Sequence, residues 1–218
     1  MHIPNCKNDN NEKKEDISII SQTFFGKIEK SYFCLNCKSN YKEYEIFKCI
    51  SFYLEEILDN INIQKQIDDN NNITIYDCFD ITYKNKKNNI NYCNKCKVKT
   101  NCEYVSHFYN CPNILIIILN REKNNYIFDI ELDFNEQLNI SKYTLQNYFN
   151  NEINYELYGV VTCTYQNDEN SHFIASCKNP IDKKWYKFED TNITSINDFQ
   201  KEVIEYEIPY ILFYKKLN

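Results

Sequence analysis

Glycine and proline are scarce in this chain, with two Gly and four Pro among 218 residues. Turns must therefore fall largely to Asn and Asp, which tolerate left-handed backbone and close Asx-turns. Gly26, one of the two glycines, is expected to fill a turn that other residues cannot. Long apolar runs are also missing. No window approaches the length of a bilayer span, so no membrane partner is expected. The opening Met1-His2-Ile3-Pro4-Asn5-Cys6-Lys7 has no apolar stretch of the signal-peptide kind. Basic residues are outnumbered, 25 against 31, for a net charge of −6. A chain short of positive charge lacks the basic face that phosphates need, so no nucleic-acid partner is expected, whereas a basic protein partner is compatible.

What is present is an apolar fraction of 43%, with 19 Tyr and 14 Phe, which makes a globular protein despite its polar loops. The length suffices to bury a core in one domain. Asn-rich runs such as Asp68 to Asn72 read as loop filler without a chemical role. Eleven cysteines, an odd number, with no export signal, point to a reducing compartment, cytoplasmic or nuclear. There they serve as metal ligands and small core residues and not as disulfides.

Residues 1–16 are polar and read as a frayed or truncated lead-in. The stretch from Tyr44 to Ile63 carries both strand and helix spacing and is expected as strand followed by short helix. Thr74-Ile75-Tyr76-Asp77 has capping-box form and predicts a short helix burying Ile75, Cys78 and Phe79. Asn85 to Asn91 reads as a polar loop. Ile114 to Leu119 is a continuous apolar run, as in a strand buried on both faces. Short strands follow at Tyr158–Cys163, His172–Cys177, Lys184–Phe188 and Tyr210–Tyr214. Ser195 to Asp198 resembles a further helix N-cap ahead of Phe199 and Val203. Strands dominate and no βαβ alternation appears, which predicts an α+β fold with a mostly antiparallel sheet.

Two Cys-x-x-Cys knuckles, Cys34/Cys37 and Cys93/Cys96, carry the strongest local signal. Zinc wants four ligands in a tetrahedron, and two such turns at hairpin tips deliver them. Spacing favours a structural zinc site over four metal-free thiols, with the long segment between Cys37 and Cys93 making an excursion from it. Lys38, Lys95, Lys97 and Lys99 stand nearby to offset thiolate charge. Cys49, Cys78, Cys102, Cys111, Cys163 and Cys177 lack paired spacing and read as core or surface residues.

His172 stands between a polar loop and the apolar Phe173-Ile174-Ala175. About a dozen residues on, the strand Trp185 to Phe188 ends in Glu189-Asp190. If the two strands pair antiparallel, the acids return beside the imidazole, as in a generalised triad. Alone, a His at a strand start is more often structural. His107 reads as structural, and His2 lies in the tail.

Taken in order, these parts resemble the C-terminal two-thirds of the ubiquitin-specific protease catalytic domain, of the ubiquitin carboxyl-terminal hydrolase family. The matching run comprises Phe24-Phe25-Gly26, the two knuckles, Cys111-Pro112-Asn113-Ile114, Leu119-Asn120-Arg121, Tyr155 to Val160, the His172 strand, Trp185 to Asp190, and Ile208 to Tyr214. The resemblance implies a papain-like hand. Residues 1–22 would be lead-in, and 23–218 a partial catalytic domain, with zinc-bearing fingers over about 24–110 and a palm over about 111–218. The helical thumb would be largely missing. It places strand over Tyr44 to Phe52 and makes ubiquitin or ubiquitinated proteins the partner. It makes His172 the catalytic histidine and Glu189 and Asp190 its acids, with Asp190 favoured to orient the ring because Glu189 is one methylene longer than the usual Asp or Asn. Ser171, Phe173 and Glu122 depart from the residues usual at their positions, which implies a tuned or weakened site. The family's nucleophile sits in a Gly-Asn-x-Cys box, which these residues lack. Asn5-Cys6 echoes it without the glycine, the aromatic or the helix. The resemblance therefore implies a thiol-dependent deubiquitinase represented by its histidine-bearing part, inactive by itself, with the nucleophile on a separate chain or a missing N-terminal segment. The alternative is a catalytically inactive ubiquitin-binding scaffold of the same fold.

Overall fold

The computed structural model describes residues 18–64, 73–84, 86–123, 126–127, 130–145, 152–167, 170–205 and 207–217. Residues 1–17, with His2 and Cys6, and the Asn-rich run at 68–72 lie outside the described residues. The expected lead-in is seen only from Ser18, where a short helix, Ile19–Phe24, begins instead. Ser18 and Ser21 cap it reciprocally, each hydroxyl accepting from the other's backbone N–H. Among the described residues no helix is long and apolar enough to cross a membrane.

Eleven main strands build two sheets: β1 (Gly26–Cys34), β2 (Asn40–Phe47), β3 (Ile50–Tyr53), β4 (Lys87–Cys93), β5 (Val98–Asn110), β6 (Ile114–Asn120), β7 (Asn154–Asn167), β8 (Asn170–Lys178), β9 (Trp185–Glu189), β10 (Asn192–Ile196) and β11 (Ile208–Lys216). The first sheet is an antiparallel ribbon in the order β2-β1-β5-β4. The second runs β10-β9-β8-β7-β11-β6-β3, antiparallel except for β3, which lies parallel to β6. This is the expected α+β class with a mostly antiparallel sheet. β3, although it follows β2 in the chain, edges the second sheet and not the ribbon.

The core lies on one face of that second sheet. Leu115, Ile117 and Leu119 of β6 are fully buried, each worth roughly 1.5–3 kcal/mol. The helix Leu54–Gln64 brings Leu54 and Ile57, and the helix Ile75–Phe79 brings Ile75, Cys78 and Phe79, as the capping box at Thr74 foretold. Thr74 accepts from the Asp77 N–H at 3.1 Å, while Asp77 accepts from the Thr74 N–H at 2.9 Å. Phe79 packs against Phe52, Phe108 and Tyr143 with ring centroids 5.1, 6.4 and 5.1 Å away. Arg121 is buried and donates to the carbonyls of Pro209 and Ile130, tying the end of β6 to the start of β11.

Several expectations need correction. The expected loop over Asn85–Asn91 is strand from Lys87 on, paired along β5, while Asn85 lies outside the described residues. Both its faces are largely solvated, so polar residues fit it and no apolar alternation marks it. Ser195 is not an N-cap but lies in β10. The turn at Gln200–Glu205 is capped by Asp198, which accepts from Lys201 N–H, and by Glu202, which accepts from the N–H groups of Asn197 and Asp198. The left-handed positions among the described residues are Lys38, Lys97, Lys183 and Asp190, and only the last fits the expected Asn and Asp. Cys49 is disulfide-bonded, against the expectation of thiols throughout. Gly26 fills no turn. It starts β1, where a Cβ would come within 2.3 Å of the Phe47 ring and 2.9 Å of Pro112.

Gly26→Ala should therefore destabilise the protein by roughly 1–3 kcal/mol through overpacking, read as a shift in chemical-denaturation midpoint. A second test concerns Glu29, buried at the centre of the ribbon, which accepts from Lys42 at 2.8 Å and from Ser31 and Tyr44 at 3.0 Å. Burial pushes its carboxyl up, but these three donors together outweigh that and hold it below its ordinary value of 4.5. A depressed folded pKa contributes stability above the unfolded value that is lost as pH falls through the folded one. Glu29→Gln should cost about 1–3 kcal/mol at pH 7. Its deficit should shrink as pH falls below 4.5, measured by denaturation at both ends of that range.

Candidate active site and metal centre

His172 lies near the start of β8, opposite Thr164 of β7. Side chains alternate along a strand, so His172, Ile174 and Ser176 share one face. Ser176 pairs with Lys187, which puts Lys187 and Glu189 on that face as well. After Glu189 the chain reverses through Asp190, at φ 50, and Thr191 into β10. Nε2 of His172 consequently faces two carboxylates: Glu189 Oε1 at 3.6 Å and Asp190 Oδ2 at 3.9 Å. These are ion-pair distances for a charged imidazole, and Glu189 must close by about half an ångström to make a good hydrogen bond. Sequence reasoning favoured Asp190 for orienting the ring. In the structure Glu189 is nearer and less exposed, 40% against 77%. Its extra methylene is taken up because the strand delivers it on the histidine's face.

Nδ1 of His172 has no hydrogen-bond partner among the described residues, and no described thiol bonds to this imidazole. Cys163, paired with Phe173, projects from the opposite face.

Beneath the histidine lies a cluster that sequence reasoning missed. Glu207, buried just before β11, accepts from the Thr162 hydroxyl of β7 and from Lys187 of β9 at 2.5 Å. It links the two strands that flank β8, and the second of them carries Glu189. The only sequence cue was Lys187 and Glu189 two residues apart, since Glu207 comes from a distant segment. His107, read as structural, lies in β5 opposite Glu29, with its buried Nδ1 unpartnered among the described residues.

At the far end of the ribbon the two knuckles meet. Cys34 ends β1 and Cys93 ends β4, each at a hairpin tip, and the Sγ atoms of Cys34, Cys37, Cys93 and Cys96 all lie within 4.8 Å of one another. Cys34 and Cys96 are 3.9 Å apart, Cys37 and Cys93 3.6 Å. Ideal tetrahedral thiolates at 2.3 Å from a metal would stand about 3.8 Å apart. The segment between Cys37 and Cys93 departs to the second sheet and returns, as the spacing implied. Lys38 and Lys97 close the two knuckles in the left-handed region, their N–H groups donating to the carbonyls of Cys34 and Cys93 at 3.0 and 2.7 Å.

The donors around Cys34 and Cys37 favour thiolate. The Cys37 backbone N–H and the Thr100 hydroxyl hold Cys34 down at about 5. Ser39 lowers Cys37. Cys96 is pushed up to about 12, chiefly by the hydrogen bond it shares with Cys37. Left to themselves the four sulfurs share protons, and a divalent cation is what lets all four ionise. The residues thus fit a thiophilic metal ion.

The sequence profile described as ubiquitin carboxyl-terminal hydrolase matches residues 3–214. The chain belongs to that family. Similar solved structures include the SAGA Ubp8/Sgf11/Sus1/Sgf73 DUB module bound to ubiquitin aldehyde, 25% identical with a TM-score of 0.70, covering 96% of this chain and 44% of that one. A yeast SAGA DUB module structure matches at 25% identity and a TM-score of 0.72, with the same coverage. The chain thus spans less than half the length of the solved chains it matches. Their fold is the sheet-rich α+β arrangement described above.

The chain should bind about one equivalent of a thiophilic divalent cation. Cobalt should give the intense thiolate-to-metal absorption of a four-sulfur site, and Cys34→Ser or Cys93→Ser should weaken binding at least tenfold by chelator competition.

Proposed function

We propose that this chain is the histidine-bearing part of a cysteine-type deubiquitinase, acting on ubiquitin C-terminal isopeptide or peptide bonds. The observation that carries the reading is the asymmetry at His172: both acids face Nε2, and Nδ1 is left for a thiol. Family membership supports it, as do neighbouring structures described as DUB modules, one of them bound to ubiquitin aldehyde.

The chemistry follows from that geometry. Nδ1 takes the proton of a cysteine thiol, and the thiolate attacks the carbonyl of the scissile bond. The imidazolium returns the proton to the leaving amine, which departs and leaves a thioester. Water then attacks, its proton passes to the imidazole, and the carboxylate product and the thiol are released. Glu189 holds the tautomer with Nε2–H directed at the acids, and Asp190 adds a second negative charge to stabilise the imidazolium. The two glycines are followed by Lys27 and Val160, so these 218 residues include no Gly-Asn-x-Cys box. The nucleophile in this reading comes from a further segment or a separate chain. Zinc is the ion that suits the four sulfurs, closing the fingers ribbon structurally, with ubiquitin resting on ribbon and palm. The nine described free thiols accord with a reducing compartment, cytoplasm or nucleus, whereas the Cys49 disulfide does not.

The purified chain should bind ubiquitin and leave a ubiquitin C-terminal reporter uncleaved. A polypeptide carrying a Gly-Asn-x-Cys helix, added in trans, should restore turnover. His172→Ala should reduce that turnover at least about 10³-fold, and Glu189→Gln should reduce it more than Asp190→Asn. Cleavage by the chain alone, lost in His172→Ala, would place the nucleophile within these residues. Tight ubiquitin binding without restored turnover would favour the binding-protein alternative.

A further inference from the structure

A fifth sulfur lies beside the metal centre and takes no part in it. Cys102 is fully buried on β5, in the same small cluster as Tyr32, Cys34 and Cys93, with Cys102 directly opposite Cys34 across the strand pair. It lies among hydrogen-bonding groups in series. Tyr41 Oη is 3.4 Å from Cys102 Sγ, Cys102 Sγ is 3.6 Å from Thr100 Oγ1, and Thr100 Oγ1 is 3.2 Å from Cys34 Sγ. Cys102 also reaches the Thr100 carbonyl at 3.6 Å. The other sulfurs have side-chain donors too: Ser39 for Cys37 at 2.9 Å and Cys93 at 3.7 Å, and Asn36 for Cys96 at 3.5 Å. Thr100 differs in reaching Cys34, the fully buried ligand, through a run of further donors.

We infer that Tyr41, Cys102 and Thr100 form a one-way hydrogen-bond chain that positions and supports Cys34 as a metal ligand, with Cys102 acting as relay and not as alternative ligand. This rests on the reading that the four knuckle sulfurs hold zinc. The direction follows from elementary donor counting. A metal-bound Cys34 has no proton, so Thr100 must donate to it. The Thr100 oxygen and carbonyl are then free to accept, so Cys102 donates its S–H to Thr100. Among the described side chains, Tyr41 is then the donor to the Cys102 sulfur. Tyr41 is held for this by stacking on Tyr32, with ring centroids 5.0 Å apart and planes within 6°. Outer groups of this kind tune retention of a metal about 10–100-fold.

The test is zinc release from the whole chain into excess chelator, followed with a metallochromic dye. Thr100→Val keeps the shape and removes the hydroxyl, and release should quicken about tenfold or more. Thr100→Ser should restore the parental rate. Cys102→Ala should quicken release less than Thr100→Val. The pair of changes together should release no faster than Thr100→Val alone, since Cys102 acts only through Thr100. A packing defect would instead add. The visible spectrum of the cobalt form should be unchanged in Cys102→Ala. Parental release from Thr100→Val, additive effects in the double variant, or an altered cobalt spectrum without Cys102 would each overturn the inference. If Thr100→Val does not fold, the Thr100→Ser and Cys102→Ala rates still decide it. A parent chain that retains no zinc would instead remove the metal reading on which the inference stands.

Discussion

The register between β8 and its two neighbours is the constraint on which the candidate active site depends. A slip of one residue between β8 and β9 would send Glu189 to the opposite face from His172, because side chains alternate along a strand. Several contacts hold that register. Trp185, at the start of β9, stacks on Phe199 at 4.2 Å with planes 22° apart. Ile174, two residues beyond His172, is buried, and so is Ile196, which pairs with Trp185. Glu207 then joins β7 to β9 through Thr162 and Lys187, across the strand that bears the histidine. A buried carboxylate left without either partner would be costly, so this cluster discriminates strongly against misregistered arrangements.

The ribbon solves a different problem. Its two hairpins are joined along their length by β1–β5 pairing, but their tips must bring four sulfurs together. Backbone geometry does most of this: each knuckle turns back on a left-handed lysine, whose N–H closes onto the carbonyl of the first cysteine. In a chain so poor in glycine, lysine accepts the strain of a positive φ there. The long excursion between the knuckles costs little entropy beyond that of a shorter loop, since closure cost grows only logarithmically with length. It also returns value as structure, because it contributes β3 and two helices to the core of the second sheet.

Where the chemistry is local in sequence, the sequence alone was enough to read it. The Cys-x-x-Cys pairs and the Thr74–Asp77 box are short-range devices, and both formed as their spacing implied. The apolar run of β6 was equally plain as a strand, although Ile114 and Ile116 on its second face are only half-buried. Legibility failed where a pattern serves two structures or none. Lys87 to Asn91 is solvated on both faces, so only its pairing with β5 makes it a strand. Ser195 to Asp198 has the letters of a cap, yet Ile196 is needed in the core opposite Trp185, and that pulls Ser195 into β10. Both Glu189 and Asp190 come near His172, one ending the strand and the other entering the turn, a placement that differs by one residue and that spacing alone does not resolve. Glu207 was invisible because its partners lie 45 and 20 residues away.

If His172 is the base proposed above, its surroundings also account for how that half of a reaction centre is built without the other half. Nothing that holds His172 in place involves a thiol. Its strand is fixed by backbone pairing on both sides, its acids arrive on a neighbouring strand, and that strand is secured by Glu207 and Trp185. The charged groups that face the ring stand on its Nε2 side. On the reading proposed above, a thiol approaching Nδ1 would meet an imidazole whose Nε2 already faces carboxylate oxygens at 3.6 and 3.9 Å. Preorganisation of this kind places the cost of ordering the site in folding and not in the reaction step. In the proposed reading the sulfur half is then free to come from another stretch of polypeptide, so long as it meets the Nδ1 edge.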